Sequence, residues 1–183
     1  MLWIILGIVA AVVIWIIISY NRLVTMRKKV QNSWSQIDVQ LKRRSDLIPN
    51  LVNSVKGYMK HERETLEKVM AARNKAVNAT TSNTRMEAEG EVSGALGRLF
   101  AVMENYPDLK ANQNVMSLQT ELSNTENKIA YSRQFYNDIT MKYNTALEVF
   151  PSNIIAKSFA FKPFEFFTIP DEEKNVPNVD LNF

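Results

Sequence analysis

The stretch QLKRRSDLIPNLVNSV, residues 40–55, sends two conflicting signals. Leu41, Ile48, Leu51 and Val55 recur at the spacing of one apolar helix face. Pro49 sits among them, and an interior proline removes a hydrogen bond and crowds the preceding turn, at about 3 kcal/mol. Either a new helix starts at Ser45 or Asp46, with Pro49 harmless in its first turn, or one helix runs through and bends. The stripe keeps its phase from Leu41 through Ile48 to Leu51, which favours the continuous, kinked helix.

Outward from this stretch the spacing persists. Leu23, Val30, Trp34 and Ile37 lead up to Leu41 at its start, Tyr58 follows, and Leu66, Val69, Met70 and Val77 extend it less strictly. One long amphipathic helix to about Ala79 is therefore predicted. The cap-type run TTSNT interrupts it. A second helix is expected over 86–105, where Gly90, Gly94 and Gly97 suggest close backbone packing. The segment ENYPDLKAN is read as a connection, and a third helix over 112–150 carries Val115, Leu122, Ile129, Tyr136, Tyr143 and Phe150 inward. Pro151 ends it, and a short capped helix starts at Ser152.

Upstream, residues 2–18 contain no charged side chain, close to the roughly 20 residues that cross a bilayer core as a helix. Leu2, Trp3, Ile4, Ile18 and Tyr20 mark the ends of the span, with Trp3 and Tyr20 where interfacial aromatics are favoured. No basic start and no small-residue cleavage site is present, so a retained anchor is expected rather than a cleaved signal. Arg22, Arg27, Lys28 and Lys29 follow the span. They orient the bulk of the chain to the cytoplasm and can attract anionic lipid headgroups. The expected organisation is an anchor over 1–20, a helical bundle over 21–158 and an irregular tail over 159–183. That tail holds Phe159, Phe161, Phe164, Phe166 and Phe167, too many rings to leave in water.

The 183-residue chain has no cysteine and a single histidine, His61, which excludes disulfides, thiolate sites and a multi-histidine metal site within one chain. HERET departs from a zinc-protease motif at Thr65, and no phosphate loop or nucleophile elbow occurs. Nothing points to a catalytic residue, a cofactor, a metal, a small-molecule substrate or a nucleic acid. KRR at 42–44 lacks the interleaved aromatics of a nucleic-acid surface. Asp38 and Arg44 lie near the apolar stripe and must be paired if buried. The asparagines Asn50, Asn105, Asn112, Asn127, Asn137 and Asn144, poor helix formers, are read as caps or cross-helix hydrogen-bonding groups.

YNRLV, WSQIDVQLKRRSDLIPNLVNSVKGYMKHE, AEGEVSGALGRLFAVMENYPDLKAN, LQTELSNTENKIAYSRQFYNDI, YNT and FPSNIIA with FKP together resemble the LemA family over nearly the whole chain. The resemblance implies a single-pass protein of the bacterial inner membrane with an all-α, up-and-down four-helix bundle. It implies no enzyme activity, and its genomic association with membrane stress proteases suggests an accessory or regulatory role as an alternative. SFAF, 158–161, departs from the family pattern, which more often has a small residue and glycine there.

By the rise of about 1.5 Å per residue, a first helix over 21–79 would be nearly 90 Å long, against roughly 58 Å for the third. Leu23, Val30, Trp34, Ile37 and Leu41 would then lack a partner in their own chain. With Phe161, Phe164, Phe166 and Phe167 they are the expected interface residues of a homo-oligomer, with another membrane protein or lipid as the rival occupant.

Overall fold

The computed structural model describes residues 1–167, and all regular structure among them is helical. The elements are α1 (Leu2–Val55), α2 (Arg63–Asn78), α3 (Ser82–Met103), α4 (Pro107–Ala111), α5 (Gln113–Glu148) and α6 (Ser152–Ser158). The part of the expected tail beyond Phe167 lies outside the described residues.

The first helix does not reach Ala79: it stops at Val55, and a turn through Gly57 leads to α2. Met59, on that turn, is buried with Leu66, Val69 and Ala76 of α2 in the same core as Ile48, Leu51 and Val55. Folding α2 back covers both apolar faces. Other ends follow local chemistry. Thr81 caps α3 through a reciprocal box with Thr84, as TTSNT suggested. The side chain of Asn112 accepts from the backbone N–H groups of Asn114 and Val115 and so caps α5. The ENYPDLKAN connection contains the one-turn α4, with Pro107 in its first turn and Leu109 buried. Ser152 does not cap α6; its hydroxyl donates to the carbonyls of Ala146 and Val149 at the end of α5. A Cβ added at Gly94 or Gly97 would meet nothing within 4 Å, so close packing is not the reason for those two glycines.

The chain divides into two compact units. One comprises 39–130 with Phe167. Its core draws Ile48, Leu51 and Val55 from α1, Val69 from α2, Val92, Leu96 and Leu99 from α3, and Val115 and Leu122 from α5. Here α1 continues through Pro49, so no helix restarts at Ser45 or Asp46. The missing N–H leaves the Ser45 carbonyl, four residues earlier, without its helical donor. Arg73 on α2 supplies one: its Nε–H donates to that carbonyl at 3.2 Å.

Arg44 is the largest polar group in this unit to be fully buried, at 1% exposure. One terminal nitrogen donates to the Glu89 carboxylate at 2.5 Å and to the Glu89 carbonyl at 3.0 Å. The other donates to Ser93 Oγ at 2.7 Å and to Glu126. Ser93 in turn donates to the second oxygen of Glu126 at 2.7 Å. One guanidinium thus joins α1, α3 and α5.

The other unit comprises 1–38 and 131–166. Leu23, Val30, Ser33 and Ile37 of α1 are buried, as are Tyr136, Thr140, Tyr143 and Leu147 of α5, two faces with seven-residue periodicity. Trp34 packs edge-on to Tyr136, with ring centroids 5.4 Å apart. Helix α6 ends in a Schellman turn, with Phe161 N–H donating to the Ala156 carbonyl and Ala160 N–H to that of Lys157. Ala160 holds the left-handed position of this turn at φ 53°. That site ordinarily takes glycine, which explains the physical sense of the SFAF departure.

Four substitutions in the detergent-solubilised full chain, measured by urea unfolding, check these assignments. Arg44→Ala should cost about 3 kcal/mol or more, because it strands buried acceptors. Glu126→Gln should cost less than about 1 kcal/mol, its carboxylate side chain being 39% exposed. Arg73→Ala should cost about 1 kcal/mol in the native background and almost nothing once Pro49→Ala restores the helical donor. Ala160→Gly should add about 1 kcal/mol by relieving the left-handed strain.

Candidate membrane interface

The first turns of α1 are apolar and uncovered. Residues 2–18 carry no charged side chain, and the described residues bury none of them. Leu2, Trp3, Ile4 and Ile18 are all exposed. By length and composition this is one helix able to cross a membrane, and it fits an anchor. Cover begins within the last turn of the run, where Trp15, Ile16 and Ser19 become half-buried.

Tyr20 ends the run and gathers the phenylalanine segment. Its ring lies 4.7 Å from Phe159 and 5.8 Å from Phe161, centroid to centroid. About two turns further on, the Arg27 guanidinium stands 5.2 Å from the centre of the Phe161 ring, a cation–π contact. Arg27 is half-buried, whereas Arg22, Lys28 and Lys29 are exposed. The four cations therefore divide: one is built into the fold, and three face outward. No acidic residue interrupts 19–29.

The segment after α6 is held by polar groups on α5. The Asn144 side chain donates to the Phe164 carbonyl at 2.8 Å and accepts from the Phe164 N–H at 3.0 Å, as a neighbouring strand would. The Tyr143 hydroxyl donates to the Lys162 carbonyl and that of Tyr136 to the Glu165 carbonyl. Burial pushes both phenols above their ordinary pKa, and the Arg27 charge partly offsets this at Tyr143. Phe164 packs against Tyr143 at 5.5 Å.

These contacts correct the premise of a stripe without a partner in its own chain. Leu23, Val30 and Ile37 are at most 1% exposed in their unit, and Leu41 is buried in the other. Trp34 is half-buried on Tyr136. The mismatch in helix length arose from extending the first helix to Ala79; residues 21–55 are 35 residues, against 36 in α5. Phe161 and Phe164 dock on their own chain, Phe167 is buried, and Phe166 stays 43% exposed. Phe150, expected inward, is 78% exposed.

Among the described residues no three His, Cys, Asp or Glu side chains converge on a possible metal position. His61 is exposed on the turn after α1. Two polar groups central to the architecture had only partial signals in the sequence. Asn144 is marked by its residue type and Arg44 by its phase on the stripe, whereas Glu89, Ser93 and Glu126, the partners of Arg44, carry no mark.

The LemA family model matches residues 33–181. Over 155 residues the chain is 29% identical to Protein LemA of Metamycoplasma hominis, covering 84% of this chain and 71% of that protein. It is 26% identical over 185 residues to Magnetosome protein MamQ 2 of Paramagnetospirillum magneticum, covering 87% of this chain and 68% of the relative. It is also 25% identical over 178 residues to Magnetosome protein MamQ of Magnetospirillum gryphiswaldense, with 83% and 65% covered. The family match spans most of the helical chain described above, including the residues of the Arg44 network, and the protein belongs to the LemA family.

Proposed function

We propose that this protein is a non-enzymatic, membrane-anchored helical scaffold that assembles with copies of itself, with the bulk of the chain on the cytoplasmic side of a bacterial inner membrane. The observation that carries the reading is the apolar start of α1, long enough to cross a bilayer and buried by none of the described residues. The exposed cations Arg22, Lys28 and Lys29 directly after it support the cytoplasmic orientation. A sequence without cysteine and with one exposed histidine supports a structural rather than a chemical role.

The self-association surface of this reading is not the buried stripe. On α5, Tyr131 is 73% exposed and Phe135 50% exposed, one turn apart on one face. Large rings left in water at helical spacing suit a second copy.

Size-exclusion chromatography with light scattering on the full chain in mild detergent should give a protein mass several times 21.0 kDa. Tyr131→Glu combined with Phe135→Glu should reduce it to one protomer while leaving the helical signal intact. Leu23→Glu should instead destabilise its own unit. A strictly monomeric species at every concentration overturns self-assembly, and stoichiometric co-purification of a different protein favours the accessory-subunit role. An impermeant thiol reagent should reach Ser82→Cys only in broken cells; labelling in intact cells reverses the orientation.

A further inference from the structure

The corner between α5 and α6 carries large apolar side chains that stay exposed despite the contacts above. Val149 is 48% exposed, Phe150 78%, Ile154 52% and Phe159 54%. On the same short helix Ile155 and Ala156 are buried, so α6 has a core face and a separate apolar outer face. An amphipathic element that is apolar on its outward side needs a second apolar phase.

The level of this corner along α1 identifies that phase. Phe159 lies 4.7 Å from Tyr20, the residue that ends the apolar run. Trp15 and Ile16, still inside the run, are already half-buried. The corner's unit thus overlaps the last turn of the segment read as spanning the bilayer. At that depth the surroundings are the headgroup layer, where Phe, Tyr and Trp rings are favoured. The charges agree: over 148–162 there are two lysines, Lys157 and Lys162, both exposed, and one carboxylate, Glu148. Arg22, Lys28 and Lys29 of the same unit are exposed as well, so cations outnumber carboxylates in these segments, as suits anionic headgroups.

We propose that the α5–α6 corner is a second membrane contact: Val149, Phe150, Ile154 and Phe159 enter the headgroup layer of the same bilayer that α1 crosses. The chain is then fixed to the membrane at two points, by a span and by an interfacial wedge. This rests on the anchor reading of α1, and the test separates the two.

Because the chain has no cysteine, single-cysteine variants report single positions. Full-length Phe150→Cys, Ile154→Cys, Val9→Cys and Ser35→Cys are labelled with the fluorophore NBD and reconstituted into phosphatidylcholine vesicles containing phosphatidylglycerol. Ser35 is exposed and about 22 Å beyond Tyr20 along α1, at about 1.5 Å per residue, and serves as the aqueous control. At Phe150 and Ile154 the dye should lose intensity with a nitroxide placed near the lipid headgroup and resist reduction by aqueous dithionite. At Ser35 it should be reduced rapidly and left unquenched. At Val9 it should be quenched by a nitroxide deep in the acyl chains. Quenching at Val9 with rapid reduction at both Phe150 and Ile154 overturns the wedge alone. Protection at those positions without lipid quenching means that protein covers them, and also overturns it. Loss of deep quenching at Val9 overturns the anchor and the wedge together.

Discussion

A guanidinium that has lost its water must be answered by acceptors, and in the unit of 39–130 that requirement fixes how the helices meet. Arg44 is buried to 1% exposure, so its terminal nitrogens have to find oxygens at fixed distances. They find them on α3 and α5, through Glu89, Ser93 and Glu126. Hydrophobic contacts tolerate sliding by a fraction of a turn, whereas this network does not. A shift of either helix by one residue would rotate its carboxylate about 100° away, given 3.6 residues per turn. The apolar residues around Arg44 supply most of the driving force for collapse; the ion cluster selects one register from those that collapse would allow.

Pro49 obeys the same accounting at the level of the backbone. The residue that removes a donor sits in the helix that must continue, and the orphaned Ser45 carbonyl is satisfied from outside by Arg73. The proline therefore marks where α2 returns against α1. Its sequence context shows the break in hydrogen bonding and says nothing of the residue, 24 positions later, that repairs it.

That division runs through the whole comparison of sequence with structure. Features set by neighbours along the chain were readable: the apolar run, the Thr81 cap, the helix periodicities and the phase that carries α1 through Pro49. Features set by reversal of the chain were not. Periodicity continues across a turn when both flanking helices bury a face in one core, so Leu66 and Val69 looked like a continuation of α1 although they pack back onto it. Gly57 was the one local cue. From that error came the stripe without a partner, whereas Leu23, Val30 and Ile37 are buried within their own unit and Leu41 within the other. Glu89 and Glu126 could not have been singled out among 19 acidic residues, since only the tertiary meeting of three helices distinguishes them.

The division of the chain into units also sets an order in time. Residues 39–130 lie in sequence between the two segments that form the other unit, 1–38 and 131–166. During synthesis the apolar face of Leu23, Val30 and Ile37 leaves the ribosome early, while Tyr136, Tyr143 and Leu147 arrive about a hundred residues later or more. The inner unit can assemble from segments already made; the outer one must wait for almost the entire chain and then close a long loop. Contacts of such large sequence separation form slowly. The face of α1 that bears Leu23, Val30 and Ile37 therefore stays unfinished until the C-terminal half of α5 has been made.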